Sequence, residues 1–379
     1  MRQRAARIKE VALTSQTPPE LPSYEIEVIP GLEEFAIEEV RESFRLSAGP
    51  ARLSREGRLS LRANPDLKRL NQLSSVVAVH LVERFDVPRP KALLGHQNLA
   101  RLVALARHVF AAWPAGTFST FRINAAGADS AEFTRLKLEI SGQLGLTNND
   151  REGDLLLTFR RPPPRQAGWE VLMRTSPRPL SARTWRVRDL PGALNASVAH
   201  AMVRLGQPRD DDVFVNVGCG SGTLMIERLR IGPAKEVVGY DLDPRALDCA
   251  RENLTASGLS GVAQLVLHDA RQLPLLSGSV DTIVADLPYA MLVGSGAENR
   301  VVYPEILKEA ARVARPDASF VLITTQRQLM ADVLKDLTDQ WRLVRTVPIK
   351  IPFQGGYISP AIYVLGRVQA VTSRLPPAT

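Results

Sequence analysis

The sequence predicts an α/β protein whose second half is a parallel sheet covered on both faces, preceded by smaller α+β units. Three observations carry this. Residues 213–223, VFVNVGCGSGT, are an apolar run that breaks into Gly218, Gly220 and Gly222, as a buried strand does when it turns sharply into a helix. From there to residue 347, apolar runs of strand length alternate with helical patterns, the rhythm of strands joined by crossover helices. Successive strand ends then carry polar groups: Asp241-Leu242-Asp243 after the second, and His268-Asp269-Ala270 after the third.

In chain order, residues 1–22 are basic and hold no apolar core behind their charges, so they read as a loose tail and not as a secretory signal. EIEVIP at 25–30 alternates like a strand, and Leu32, Phe35, Ala36 and Val40 then recur at helical spacing. Strands over 58–62 and 76–85 and a helix over 93–113 complete a first α+β unit, 23–114. A strand at 117–124, a helix at 133–144 and strands at 155–160 and 169–174 form a second unit, 115–175. Three consecutive prolines, 162–164, mark a stiff turn between its last strands. A basic linker, 176–192, leads into the α/β part, 193–369. There the pattern predicts helices at 194–205, 222–230, 244–256, 301–315 and 326–336. Strands are expected at 213–217, 236–240, 262–267, 280–285, 319–324, 341–347 and 361–367. The last two should add antiparallel strands at one edge, and 370–379 reads as a second loose tail.

Composition narrows the function classes. Cys219 and Cys249 are the two cysteines and suit neither a disulfide framework nor a zinc pair. The five histidines, His80, His96, His108, His200 and His268, lack paired ligand spacing, so no metal is expected. No stretch reaches the length of a membrane span, and cytoplasmic location is the default expectation. The net charge of +8 lies wholly in residues 1–190, which hold 29 Lys plus Arg against 21 Asp plus Glu, while the remainder balances at 19 against 19. A basic half beside a neutral half fits either a nucleic-acid grip or a solvated face. Between Arg160 and Arg188 lie eight arginines and one acid, with Trp185 among them. Phosphate contact and a packed linker stand open there, as do base stacking and a core anchor for Trp185.

The glycine turn binds a nucleoside cofactor in two enzyme classes, the dinucleotide dehydrogenases and the S-adenosylmethionine (SAM) enzymes. Counting from Gly218, Thr223 stands where the GxGxxG spacing needs its third glycine, which weighs against NAD, and no Lys-Ser/Thr follows to make a P-loop. Asp241, at a strand end, is expected to hold ribose hydroxyls; Asp243 before Pro244 reads better as a helix cap. Asp269 is placed to accept from an adenine amine. Asn195, Asn216, Thr223, Leu242 and Ala270 complete the expected cofactor set.

Asp286-Leu287-Pro288-Tyr289 follows the next strand on the same rim. It resembles the Asn/Asp-Pro-Pro-Tyr/Phe motif of SAM-dependent methyltransferases acting on exocyclic or amide nitrogens. The resemblance implies that Asp286 and a carbonyl of Leu287 or Pro288 accept hydrogens from a target amine and that Tyr289 stacks on a base flipped out of its helix. Such an amine is a poor nucleophile because its lone pair is delocalised, so acceptors that orient it make chemical sense. A proline-stopped strand end with a packed tyrosine is the plainer reading of the same four residues.

Further stretches resemble the guanine-N2 methyltransferases that carry a THUMP domain. PGLEEFAIEEV is similar to the start of their ferredoxin-like domain, TFRINAAG to their THUMP domain, and PLSARTWRVRDLPGALNASVAHAMVRL to their linker and first catalytic helix. The family implies a Rossmann-like SAM-dependent methyltransferase domain at 193–369, a ferredoxin-like domain at 23–114 and THUMP at 115–175. It implies a tRNA partner, held by the acceptor stem and 3′ end and methylated on a guanosine N2, with no DNA and no membrane partner. A monomer would suffice. Asn216-Val217 stands where the family often has Asp-Pro. Ribosomal RNA as substrate, an adenine target, and an RNA-binding protein with a retired SAM fold are the competing readings. In the loop at 291–300, Asn299 reads as a helix-start residue, while Arg300 suits either a helix start or a contact to phosphate. Phe353, Gly355 and Gly356 are a candidate wall of the base pocket.

Overall fold

The computed structural model describes residues 21–46, 49–163, 166–289, 296–353 and 355–368, so both expected tails and most of the loop after Tyr289 lie outside the described residues. The N-terminal part is built from β1 (Ser23–Glu27), α1 (Glu33–Phe44), β2 (Ala51–Arg55), β3 (Arg58–Arg62), α2 (Leu67–Leu70), β4 (Ala78–Phe85) and α3 (His96–Phe110). It continues through β5 (Thr120–Ala125), α4 (Ala131–Leu144), β6 (Thr147–Asn148), β7 (Leu155–Arg160) and β8 (Trp169–Arg174). All eight strands join one sheet, in the order β2-β3-β1-β4-β8-β7-β5-β6. The two α+β units thus share a sheet, sealed by the antiparallel β4–β8 ladder from His80 opposite Arg174 to Phe85 opposite Trp169. The turn into α1 is fixed by Glu33, whose two carboxylate oxygens accept from the N–H groups of Gly31 and Gly57, each at 2.8 Å. β2 escapes a reading from pattern because four of its five residues face solvent and it has no alternation.

The second part comprises α5 (Ala196–Leu205), β9 (Val213–Val217), α6 (Thr223–Ile231), β10 (Glu236–Asp241), α7 (Pro244–Ala256), β11 (Gln264–Leu267) and β12 (Val280–Asp286). It goes on with α8 (Gly296–Val313), β13 (Ala314–Thr324), α9 (Arg327–Asp336), β14 (Trp341–Pro348), β15 (Ile351–Phe353), β16 (Gly356–Ile358) and β17 (Ala361–Arg367). Seven of these strands form a sheet in the order β11-β10-β9-β12-β13-β17-β14, and β15–β16 is a small hairpin apart from it. The chain walks outward from β9 to β11 and returns to β12 on the other side, so the connections reverse between β9 and β12, where open α/β sheets bind ligands.

The expected antiparallel pair is at one edge of the sheet, β14 against β17, with an order that chain sequence alone does not suggest. β17 alone runs antiparallel, and it lies between β13 and β14, with β14 at the edge. Burial explains the placement: Ala361 to Leu365 are buried throughout, as an inner strand requires, whereas Arg342 to Thr346 are exposed.

The linker is packed at Arg183, Trp185 and Arg186, which decides the open readings at those three residues. Arg183 donates to both carboxylate oxygens of Glu227 at 2.8 and 3.3 Å and to the Ser74 carbonyl at 2.8 Å, and His200 Nδ1 meets Glu227 at 3.1 Å. Arg186 donates to the Leu194 carbonyl at 2.7 Å and Thr223 Oγ1 at 2.8 Å. These two guanidiniums are turned inward and are not phosphate contacts. Trp185 is 3% exposed among Ala196, Ile226 and Leu254, so it anchors a core and cannot stack on a base. Arg178 and Arg188 remain at the surface. The two parts also meet directly. Ser197 Oγ donates to the Val76 carbonyl at 2.8 Å, the Lys350 N–H donates to the Pro30 carbonyl at 3.0 Å, and Gly31 abuts Pro348 so closely that a Cβ there would sit 2.2 Å from its oxygen. Among the described residues no helix is long and apolar enough to cross a membrane.

Candidate active site

Register sets the rim. Val217 pairs with Tyr240 on one side and with Ala285 on the other, so Gly218, Asp241 and Asp286 follow level at the ends of three neighbouring strands. Two strand spacings put Asp241 and Asp286 roughly 10 Å apart across the glycine turn. Gly218, Gly220 and Gly222 all have left-handed backbone, with φ of 62°, 52° and 79°. A Cβ at Gly218 or Gly220 would meet nothing within 4 Å, so the face of the turn is open, while Gly222 backs onto Ala250.

Asp241 is the keystone of the turn. Its Oδ2 accepts the Gly220 N–H at 2.8 Å and its Oδ1 accepts the Asp243 N–H at 2.9 Å. Each oxygen retains a further lone pair, the capacity that ribose hydroxyls would use. Asp243 caps α7 by accepting the Arg245 N–H at 2.9 Å, as its place before Pro244 suggested. Leu242 is 64% exposed beside the turn, an apolar side chain with nothing yet packed on it.

The other expected cofactor residues lie behind or beside this face. Asn195 caps α5, accepting from Ser197 N–H at 2.9 Å. Thr223 Oγ1 is engaged by Arg186 and lies 3.1 Å from Ser221 Oγ. Asn216 is fully buried; its Nδ2 is 3.3 Å from the carbonyls of Val217 and Val284, and its Oδ1 is buried without a donor. Asp269, with Ala270 next to it, follows β11 but is held by Arg271, accepting from its backbone N–H at 2.9 Å and its guanidinium at 3.0 and 2.6 Å. That fork pulls the Asp269 carboxyl below its ordinary value. An adenine amine could take Asp269 as acceptor only after the fork opens.

The Asp-Leu-Pro-Tyr segment is held from behind. The Leu287 N–H donates to the Ile323 carbonyl at 3.1 Å and the Leu287 side chain is 2% exposed, so this residue meets the rim through its backbone. The Pro288 carbonyl accepts twice, from Asn299 Nδ2 at 2.9 Å and from the Tyr303 hydroxyl at 2.6 Å. Tyr303 also lies 2.7 Å from Thr324 Oγ1, which accepts the Gln326 N–H at 3.0 Å; Gln326 Nε2 donates to the Tyr289 carbonyl at 3.0 Å. Asp286 Oδ1 and the Tyr289 hydroxyl are buried near each other and have no other hydrogen-bond partner. Burial pushes the Asp286 carboxyl up to about 7, against a smaller opposing pull from the Tyr289 hydroxyl. Burial, reinforced by the Asp286 charge, keeps Tyr289 protonated.

Asn299 is 1% exposed and serves the motif, which corrects its reading as a helix-start residue; α8 begins at Gly296, not at 301. Tyr303, Thr324 and Gln326 were missed by sequence reasoning, because a tyrosine on the inner side of a helix and a threonine ending a strand look like ordinary packing. Phe353 and Gly356 belong to the β15–β16 hairpin, and Gly355 lies in its turn.

The sheet order and this rim define a Rossmann-like methyltransferase fold. Residues 183–353 match the UPF0020 family model, described as an RMKL-like methyltransferase domain. The chain is related to tRNA guanine-N2 methyltransferases. It is 31% identical over 189 residues to the tRNA (guanine(6)-N(2))-methyltransferase THUMP3 of Bos taurus, an overlap of 47% of this chain and 37% of that protein. It is 33% identical over 158 residues to the tRNA (guanine(6)-N2)-methyltransferase of Thermus thermophilus, an overlap of 41% of this chain and 47% of that one. It therefore spans less than half the length of either relative. The crystal structure of TrmN from Thermus thermophilus superposes with a TM-score of 0.68 over 92% of this chain and 100% of that one, at 23% identity, and shares the fold.

Proposed function

We propose that this chain methylates the exocyclic N2 amine of a guanosine in tRNA, in the acceptor-stem region, with SAM as methyl donor. The observation that carries the reading is the buried Oδ1 of Asp286, with no partner beyond the Tyr289 hydroxyl and level with Asp241 and the open glycine turn. The residues present fit SAM. The open face at Gly218 and Gly220 admits a ligand against the backbone, the spare lone pairs of Asp241 suit ribose hydroxyls, exposed Leu242 suits an adenine face, and Asn216 Oδ1 lacks a donor such as an amino group. When bound, SAM supplies an electrophilic methyl group.

The chain's own residues do the rest. Asp286 accepts one hydrogen of the target amine. The Pro288 carbonyl already accepts two hydrogen bonds, so the second acceptor is the carbonyl of Leu287. The two acceptors turn the amine's lone pair toward the methyl group, and alignment of this kind is worth several kcal/mol of barrier. The proton the amine sheds is held at Asp286, whose affinity near pH 7 suits that task. Tyr289 offers its ring to the flipped base. The N-terminal sheet, read as ferredoxin-like over 23–114 and THUMP over 115–175, grips the acceptor stem and 3′ end through the basic surplus of that half.

The test is methyl transfer from labelled SAM to bulk tRNA and to ribosomal RNA, followed by nucleoside analysis. N2-methylguanosine in tRNA supports the proposal. Label in ribosomal RNA or on adenine would overturn the substrate, and SAM binding without label in either would overturn the activity.

A further inference from the structure

We infer that Tyr303, acting with Thr324, is a positioning residue for methyl transfer; the inference rests on the function proposed above. The observation is a closed circuit of hydrogen bonds behind the reacting segment. It runs from the Pro288 carbonyl to Tyr303 at 2.6 Å, to Thr324 Oγ1 at 2.7 Å, to the Gln326 N–H at 3.0 Å, and from Gln326 Nε2 back to the Tyr289 carbonyl at 3.0 Å. Three elements supply it: α8 gives Tyr303, the end of β13 gives Thr324, and the N-terminus of α9 gives Gln326.

The circuit fixes two consecutive carbonyls, those of Pro288 and Tyr289, and so fixes the peptide planes on which they lie. The Leu287 N–H is tied separately to Ile323, at 3.1 Å. Between these ties the Leu287 carbonyl and the Asp286 carboxyl are left to face the amine. Tyr303 also removes a competitor. A Pro288 carbonyl relieved of one partner could swing and accept from the substrate amine itself, drawing its lone pair off line. Tyr303 is 0% exposed and Thr324 is 0% exposed, so neither touches substrate and both act through the segment they hold. Neither resolves as functional from sequence, since each would be placed in the core on pattern alone.

The experiment compares single-turnover methyl transfer to tRNA in the full chain for wild type, Tyr303→Phe, Thr324→Val and the double variant, with SAM affinity and thermal unfolding measured alongside. Tyr303→Phe keeps the buried ring and Thr324→Val keeps the volume. Each single variant is expected to slow transfer roughly ten- to a hundred-fold, the scale on which small misplacement acts, with SAM affinity unchanged. The double variant should be no slower than the worse single, because one circuit is broken in either case. Thr324→Ser, which keeps the hydroxyl, should recover most of the rate that Thr324→Val loses. Full rates in both single variants, or losses that merely track the melting temperature, would overturn the inference while leaving the proposed function standing. An inactive wild type would overturn both.

Discussion

At Asp286, burial and chemistry pull in opposite directions. The carboxyl is raised to about 7 because its charge is poorly solvated, yet it must be ionised to take the proton that the amine sheds. Turnover should therefore climb as pH rises through about 7 and level off above it; a flat profile from pH 5.5 to 8.5 in single-turnover assays would contradict this. The sign for stability runs the other way. A raised carboxyl favours the folded state below its unfolded value near 3.8, and that contribution is lost as pH rises through about 7. Asp286→Asn should accordingly gain more stability over wild type at pH 8 than at pH 5, measured by urea unfolding. Asp286→Ala should lower turnover by roughly 10²–10³ and leave SAM affinity near wild type, as isothermal titration would show. That the glycines, Asp241 and the Asp-Leu-Pro-Tyr run share one rim was legible because each directly follows or ends an apolar run of strand length. Asn299 and Tyr303 were not, since they act on a backbone carbonyl, and a contact made through backbone leaves no pattern in the chain.

At the scale of elements, α6 packs on β10 through a position that admits no side chain. A Cβ on Gly239 would lie 2.3 Å from Met225 Sδ and 2.9 Å from Cys219 Cβ, and both neighbours are buried. Gly239→Val should cost about 1–3 kcal/mol by overpacking, read from the urea midpoint, despite valine's liking for strands. Unchanged stability would mean that the helix lifts freely. The alternation of strands and helices announced most of these elements, because buried parallel strands are short apolar runs and the helices between them are amphipathic. What it could not announce was order. Placing β17 inside β14 depends on which strand is buried on both sides, and the exposed run from Arg342 to Thr346 is a cue that only makes sense once a sheet is in view. The linker stood open between two readings for a related reason: Arg183 and Arg186 are satisfied by Glu227 and Thr223, far along the chain, and by the Leu194 carbonyl.

At the scale of the molecule, the N-terminal sheet and the α/β part are joined at several points. Gly31 abuts Pro348, Ser197 bonds to Val76, and Arg345 pairs with Glu34 at 2.8 Å. A basic half held in fixed relation to the rim suits delivery of a nucleotide at a set distance from the gripped end. If tRNA is gripped there, log affinity should fall linearly with log salt, with a slope near 0.9 for each duplex phosphate neutralised. A slope near zero in filter binding between 50 and 200 mM salt would contradict an electrostatic grip.

The position of β17 also has a consequence in time. β14 is made before β17, yet among the described strands it pairs only with β17, by hydrogen bonds from Trp341 to Pro348. Until residues 361–367 have emerged from the ribosome, the nascent sheet must end at β13, with Phe320 to Ile323 offering an unpaired apolar edge. The rim at Gly218, Asp241 and Asp286 is translated well before that, so the chemistry is written early and the scaffold that steadies it is closed late.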